Sequence, residues 1–185
     1  MIIGVTGWFA SGKDTVADYL KEKGFQSISL SDILREKLRE EGIEVIRENL
    51  LKKGNELRAK YGTGHLAELA LKKIEIEGGK NWIIPSVRQV GEVEELRKNK
   101  NFILWEINAP LETRFERMRK RDKNGEDDAI DTIEEFKRRE ELETSGKKNA
   151  PQLDLVIPMA DIVVDNSGTF EELYAKIDSL ISEEK

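Results

Sequence analysis

The chain has 185 residues, 37% of them charged and 38% apolar, which suits one domain with a full core and a small inserted lid but leaves no room for a second catalytic domain. Its net charge of -6 repels polyanions such as DNA, so an anionic ligand has to be met by local clusters of arginine. Cysteine is absent and His65 is the single histidine, which excludes disulfides, thiolate metal sites and histidine-rich metal centres.

The apolar run Met1-Ile2-Ile3-Gly4-Val5-Thr6 predicts a strand starting at the first residue, with no signal peptide before it. No apolar stretch approaches membrane-spanning length. A cytoplasmic protein with neither a membrane nor a nucleic-acid partner is the expectation.

After that strand comes Gly7-Trp8-Phe9-Ala10-Ser11-Gly12-Lys13-Asp14-Thr15, followed by the helical pattern Val16-Ala17-Asp18-Tyr19-Leu20. Strand, glycine-rich loop and helix in this order make a phosphate-binding P-loop. Gly7 and Gly12 let the backbone curl until successive N-H groups turn inward at the helix N-terminus. Lys13 adds a full positive charge for the outer phosphates. The residue after that lysine is usually Ser or Thr, whose hydroxyl holds magnesium; here it is Asp14, a hard carboxylate ligand that also brings negative charge close to the phosphates.

Phe25 to Leu30 predicts a second strand, and Ser31 and Asp32 offer caps for a helix from Ile33 to Glu40. The pattern then stays helical from Ile43 to Ile76, with breaks at Gly54 and at Gly62-Thr63-Gly64. Trp82-Ile83-Ile84 reads as a buried parallel strand, and Pro85-Ser86-Val87-Arg88 follows at its C-terminal end. Phe102 to Ile107 predicts the next strand. Pro110 then opens a helix carrying Arg114, Arg117 and Arg121 as a stripe at spacings of three and four.

The polar stretch from Arg121 to Asp128 reads as a mobile segment. The helix expected after it, Asp131 to Glu143, has only a thin apolar face in Ile133, Phe136 and Leu142 and is a lid candidate rather than a core element. Ile162-Val163-Val164 is the last expected strand. Thr169 with Glu172 forms a capping box for a final helix whose Phe170, Leu173, Tyr174, Ile177 and Ile181 are expected to face the core. Strands alternating with helices imply a parallel sheet covered on both faces.

Taken in order, these motifs resemble the P-loop small-molecule kinases, in particular nucleoside and deoxynucleoside monophosphate kinases of the adenylate-kinase-related type and dephospho-coenzyme A kinase. The resemblance runs through Ser11-Gly12-Lys13-Asp14-Thr15, the stretch Ser29 to Arg35, Ile83 to Arg88, the arginine helix, and Ala160 to Thr169. The lysine-aspartate P-loop is similar to that of deoxynucleoside monophosphate kinases and animal phosphomevalonate kinases. The resemblance as a whole implies a three-layer α/β/α fold with a mainly five-stranded parallel sheet and a small helical lid, as one domain over residues 1–185 with an acceptor-binding helical segment at about 31–77 and a lid at about 121–148.

The implied activity is phosphoryl transfer from ATP, with Mg2+, to a small phosphorylated nucleotide. Dephospho-coenzyme A is the alternative acceptor, and a nucleotide-binding regulatory protein without turnover is the alternative class. The resemblance implies an ATP site from Gly7, Trp8, Phe9, Ala10, Ser11, Gly12, Lys13, Asp14 and Thr15 with Asn166 and Gly168. It also implies an acceptor site from Ser31, Asp32, Arg35 and Arg88, and phosphoryl-clamping arginines at Arg117 and Arg121, joined by Arg138 or Arg139 from the lid. Asp14 is the implied metal ligand. One departure stands out: where many relatives end the third strand with an acidic residue, this chain has Pro85-Ser86.

Overall fold

The computed structural model describes residues 1–122, 130–141, 143–144 and 151–183. Five parallel strands, β1 (Ile2–Thr6), β2 (Gln26–Ser27), β3 (Trp82–Ile84), β4 (Phe102–Asn108) and β5 (Ile162–Asp165), form one sheet in the order β2-β3-β1-β4-β5. Its central strand, β1, is buried at every residue and pairs with β3 on one side and β4 on the other, Gly4 standing opposite Ile84 and Leu104. A central parallel strand of this kind needs apolar residues on both faces, which is why its sequence is a continuous apolar run.

The two faces carry two cores. Ile3, Val5, Ile83, Trp105 and Ile107 pack beneath α1 (Lys13–Glu22) and α9 (Phe170–Glu183), which contribute Val16, Leu20, Leu173 and Ile177. On the opposite face, Ile2, Trp82, Ile84 and Leu104 meet α2 (Leu30–Glu40), α4 (His65–Glu77) and α5 (Val90–Leu96). The fold is therefore the three-layer α/β/α sandwich with a five-stranded parallel sheet expected from the sequence. Between α2 and α4 lies α3 (Arg47–Tyr61), and between β4 and β5 lie α6 (Leu111–Asp122), α7 (Ile133–Glu141) and the short α8 (Leu153–Val156).

Several boundaries differ from the sequence expectation. The β2 ladder spans only Gln26–Ser27, because the Ser29 hydroxyl accepts from Ser31 N-H and starts α2 at Leu30. Ser29 is thus the N-cap, and the roles expected for Ser31 and Asp32 as caps are corrected. Gly54 does not break its helix: α3 runs through it to Tyr61, whereas Gly62, at φ 95°, does end it. The capping box of Thr169 and Glu172 is present, each backbone N-H donating to the other's side chain. Phe170, expected in the core, is 61% exposed, since the first turn of α9 places it beside a cleft next to Gly12, Lys13 and Asp14.

The lid candidate is seated more firmly than its thin apolar face suggests. Phe136 on α7 is fully buried, between Phe9 of the P-loop and Phe115 of α6, with both ring centroids at 5.7 Å. Leu142 and most of the stretch expected to be mobile, 123–128, lie outside the described residues.

Candidate active site

The P-loop leaves β1 and enters α1 through a backbone that only particular residues tolerate. Gly7 has φ 139°, and an added Cβ would collide with the Ile107 carbonyl; Gly12 has φ 100°, and a Cβ there would run into the Asn166 amide. Between them Ala10 takes the left-handed φ of 57° that a non-glycine residue adopts only when its surroundings enforce it. This curled loop ends at the N-terminus of α1, where unpaired N-H groups and the helix dipole favour an anion.

Lys13 folds back over the loop and donates to the carbonyls of Gly7, at 2.9 Å, and Trp8, at 2.8 Å. Burial, with the Arg88 guanidinium as the next cause, pushes its ammonium down to about 8, while the carboxylates of Glu143 and Asp14 act in the opposite direction. A cation desolvated beside a second cation is poised to gain from an incoming polyphosphate.

In front of the loop lies a cleft of about 390 Å3 whose walls include Phe9, Asp14, Thr15, Arg117, Asn166 and Phe170. Asn166 is buried and holds three parts of it together: its amide donates to the Ser11 carbonyl at 2.8 Å, its N-H to Asn108 at 2.7 Å, and its carbonyl accepts from Arg117 at 2.8 Å. The other terminal nitrogen of Arg117 is buried and has no hydrogen-bond partner among the described residues. It lies 4.0 Å from where a Gly12 Cβ would stand, so Arg117 keeps one donor in reserve beside the phosphate loop.

The arginine stripe of α6 divides. Arg114 is structural: it donates to the carbonyls of Ala109 and Phe9 and pairs with Glu140 of α7, tying P-loop, α6 and α7 together. Arg117 faces the cleft, and the side chain of Arg121 lies outside the described residues. Of the two lid arginines, Arg139 lies over the Phe9 ring at 4.6 Å while Arg138 is exposed on α7.

A second cavity of about 220 Å3 opens on the β3 side, between α2, α3 and the segment after β3. Ser31, Ser86 and Arg88 line it, and Ser86 and Arg88 also line the P-loop cleft. The two cavities therefore meet at the C-terminal end of β3, where Ser86 takes a φ of 63°. Asp32 and Arg35 stay outside this lining and pair with each other at 2.6 Å across one helical turn.

The remaining expected ATP-site residues take supporting positions. Trp8 contributes its carbonyl to Lys13 rather than a ring to the cleft lining, and Gly168 makes room for the Glu172 side chain of the capping box.

The sequence reading missed three side chains here. Glu143 lies 3.8 Å from Arg88 and acts on Lys13, so a carboxylate reaches the neighbourhood of these two cations although Pro85-Ser86 brings none. Glu92, 2% exposed, accepts from the N-H groups of Arg88 and Gln89, and burial pushes its carboxyl upward. Arg58 of α3 lines the second cavity. Glu143 and Arg58 belong to no motif, Glu92 is the third residue of the capping box that opens α5, and only the topology brings the three together.

Asp14 is the residue here that could hold magnesium. Asp14 is exposed on the cleft wall next to Lys13, a hard oxygen donor facing the phosphate loop. Mg2+ is commonly held by one or two carboxylates together with substrate phosphates and water, and Asp14 is a donor of that kind.

Comparison with known proteins places this geometry in a family. Residues 3–146 match the model described as AAA domain. The chain is 34% identical to the UPF0200 protein TK1334 of Thermococcus kodakarensis, covering 99% of this chain and 97% of that one. It is also 34% identical to a UPF0200/UPF0201 protein of Archaeoglobus fulgidus over 97% of this chain, but there it spans only 54% of the relative's length.

Among solved structures, TT1252 from Thermus thermophilus superposes with a TM-score of 0.62 at 21% identity, covering 99% of this chain and 97% of that one. The dephospho-CoA kinase from Campylobacter jejuni gives 0.58 at 18% (98% and 96%), and the shikimate kinase from Acinetobacter baumannii in complex with shikimate gives 0.56 at 20% (100% and 94%). At such identities the likeness shows the fold, which is that of the P-loop kinases. The match across most of the chain and the 34% identity to TK1334 along 97% of its length together establish that it belongs to the UPF0200 family, with an AAA domain built on this fold.

Proposed function

We propose that this protein is an ATP-dependent kinase that transfers the γ-phosphoryl group to a small phosphorylated acceptor, with a nucleoside or deoxynucleoside monophosphate as the first candidate and dephospho-coenzyme A as the second. The observation that carries this reading is Arg88, whose side chain borders both the P-loop cleft and the second cavity. Two cavities sharing one guanidinium at the carboxyl edge of a parallel sheet suit two substrates that exchange a phosphoryl group.

In this reading the donor phosphates lie in the P-loop, where inward N-H groups and Lys13 receive them. Lys13 would leave the carbonyls of Gly7 and Trp8 for the phosphate oxygens, and Arg117 would supply its free donor to the charge that develops during transfer. Asp14 would hold magnesium, which supplies charge neutralisation at the phosphate oxygens. Arg88 would orient the acceptor, and α7, seated on Phe9, would help exclude water from the transfer.

A regulatory protein that binds a nucleotide without turning it over remains a second reading, supported by the absence of an acid at the end of β3. A coupled assay with ATP and Mg2+ against nucleoside monophosphates, deoxynucleoside monophosphates and dephospho-coenzyme A separates the two. Turnover with one acceptor is the expected result. Tight ATP binding with turnover of none would favour the regulatory protein.

A further inference from the structure

The sheet ends in two edge strands that are built differently. At one end β2 is two residues long, and its Gln26 and Ser27 are polar and exposed. At the other end β5 pairs with β4 alone among the described residues and contains Ile162-Val163-Val164, three β-branched apolar residues in a row. Proteins usually blunt a free edge with lysine, proline, a bulge or a very short strand, because unpaired N-H and C=O groups otherwise recruit another strand. Ile162 to Val164 carry no such blocking residue.

The ladder fixes which groups face outward. Asp161 N-H donates to the Leu104 carbonyl at 2.8 Å, and successive residues of a strand bond to alternate sides, so Ile162 and Val164 turn their N-H and C=O groups to the open side. Val163 bonds back toward β4, and its side chain is 59% exposed on the sheet face opposite to Val164. Beside the edge runs a groove of about 330 Å3, between β5 and Lys176, Ser179 and Leu180 of α9.

The charges at the two ends of β5 complement each other. Asp161, just before the strand, pairs with Arg97 at 2.8 Å, and Asp165, its last residue, pairs with Lys176 at 2.8 Å. Half a turn about an axis through Val163 sets the first pair against the second, so two acids and two bases meet at each end.

We propose that the β5 edge is a homodimer interface, in which β5 of a second copy pairs antiparallel about Val163 and joins the two sheets into one. In this register Ile162 stands opposite Val164 of the second copy, each such pair exchanging two main-chain hydrogen bonds, and Val163 meets Val163 of the second copy side chain to side chain. A shift of two residues either way leaves Ile162 or Val164 opposite a residue outside the strand, so this register is the one that pairs all of the outward groups. An apolar centre flanked by charges that match under a two-fold axis is self-complementary, which favours a second copy over an unrelated strand. The interface stands independently of the kinase reading.

Sedimentation equilibrium of the whole protein tests it, and the wild type should be dimeric at about 100 µM. Val163→Lys puts a charge where the two side chains meet and should weaken association at least about 10-fold, with circular dichroism unchanged because the side chain is exposed in the single copy.

The chain has no cysteine, so Val163→Cys introduces a single thiol. Directly opposed residues of a non-hydrogen-bonded pair have Cα atoms about 4.5 Å apart, within disulfide reach, so mild oxidation should give a disulfide-linked dimer. Ile76→Cys on α4, 85% exposed, is the control for random collision and should crosslink at least about 10-fold more slowly.

A wild type that stays monomeric at about 100 µM, a dimer that Val163→Lys does not weaken, or a Val163→Cys variant that crosslinks no faster than Ile76→Cys overturns the interface. Should Val163→Lys not fold, Lys176→Glu takes its place in the test. It sets three acids against one base at each end and should weaken the dimer at low salt, and unchanged association in it overturns the pairing.

Discussion

Lys13 carries the largest electrostatic perturbation near the phosphate loop, and its direction fixes a pH dependence. Its folded value of about 8 lies below the ordinary lysine value of 10.5, so in the ligand-free protein the ammonium is lost as pH rises through about 8. In the proposed reading ATP binds the protonated form. Above about pH 8, binding must take up a proton, and affinity should fall by up to about tenfold per pH unit. Lys13→Arg keeps its charge throughout that range and should flatten the descent, although the bulkier fork lowers affinity overall. A wild-type affinity that does not change between about pH 7 and 9.5 would show that Lys13 does not meet the polyphosphate.

Asp14 gives the second test at this scale, because its carboxylate lines the cleft where other P-loops carry a hydroxyl. Asp14→Ala should raise the magnesium concentration needed for half-maximal ATP binding by about 10-fold or more, with a smaller effect on metal-free nucleotide. An unchanged magnesium requirement would move the metal to another carboxylate, and Glu143, beside Arg88, would be the next to examine.

The secondary elements were legible in proportion to how far their periodicity outlasted local chemistry. Continuous apolar runs announced β1, β3 and β4, but β2 is two residues long because one serine hydroxyl redirects the chain into a helix. The short helices α5 and α8 were missed: each offers less than two clear turns of apolar pattern, and each is held by side-chain contacts to distant segments, such as the Gln152 carbonyl oxygen accepting from Val90 N-H.

The helix α7 was read as a lid because its apolar face is thin, yet Phe136 anchors it against Phe9 and Phe115 and Glu140 ties it to Arg114. Phe136→Ala should therefore destabilise the protein by about 3 to 5 kcal/mol, with loss of protection in α7 before the sheet. Hydrogen exchange measured by mass spectrometry checks this. Unchanged protection across 133–141 would mean that α7 is held by the Arg114–Glu140 pair alone.

At the scale of the whole molecule, the sheet order explains why the motif-borne half of the site was readable and the rest was not. The phosphate loop is one contiguous stretch, and its chemistry follows from Gly7, Gly12 and Lys13 alone. The second cavity is assembled from α2, α3, the end of β3 and the segment before α8, so Arg58 and Glu92 acquire meaning only once parallel strands bring their carboxyl ends to one edge. Arg35 pairs with Asp32 across one helical turn and is not among the residues lining this cavity.

Arg88 is where the two halves meet, and its replacement tests the whole arrangement. It is 44% exposed and its pair with Glu143 spans 3.8 Å, a contact contributing about 0–1 kcal/mol, so its loss should leave the melting temperature nearly unchanged. Arg88→Lys retains the charge that acts on Lys13 but cannot present two parallel donors to an oxyanion. The expected result is an acceptor KM raised or turnover lowered by about 10- to 100-fold, with ATP affinity within about twofold of the wild type. If melting temperature and ATP affinity fall together and acceptor kinetics do not change selectively, Arg88 is a structural ion-pair residue. The two cavities would then be neighbours without being two halves of one reaction.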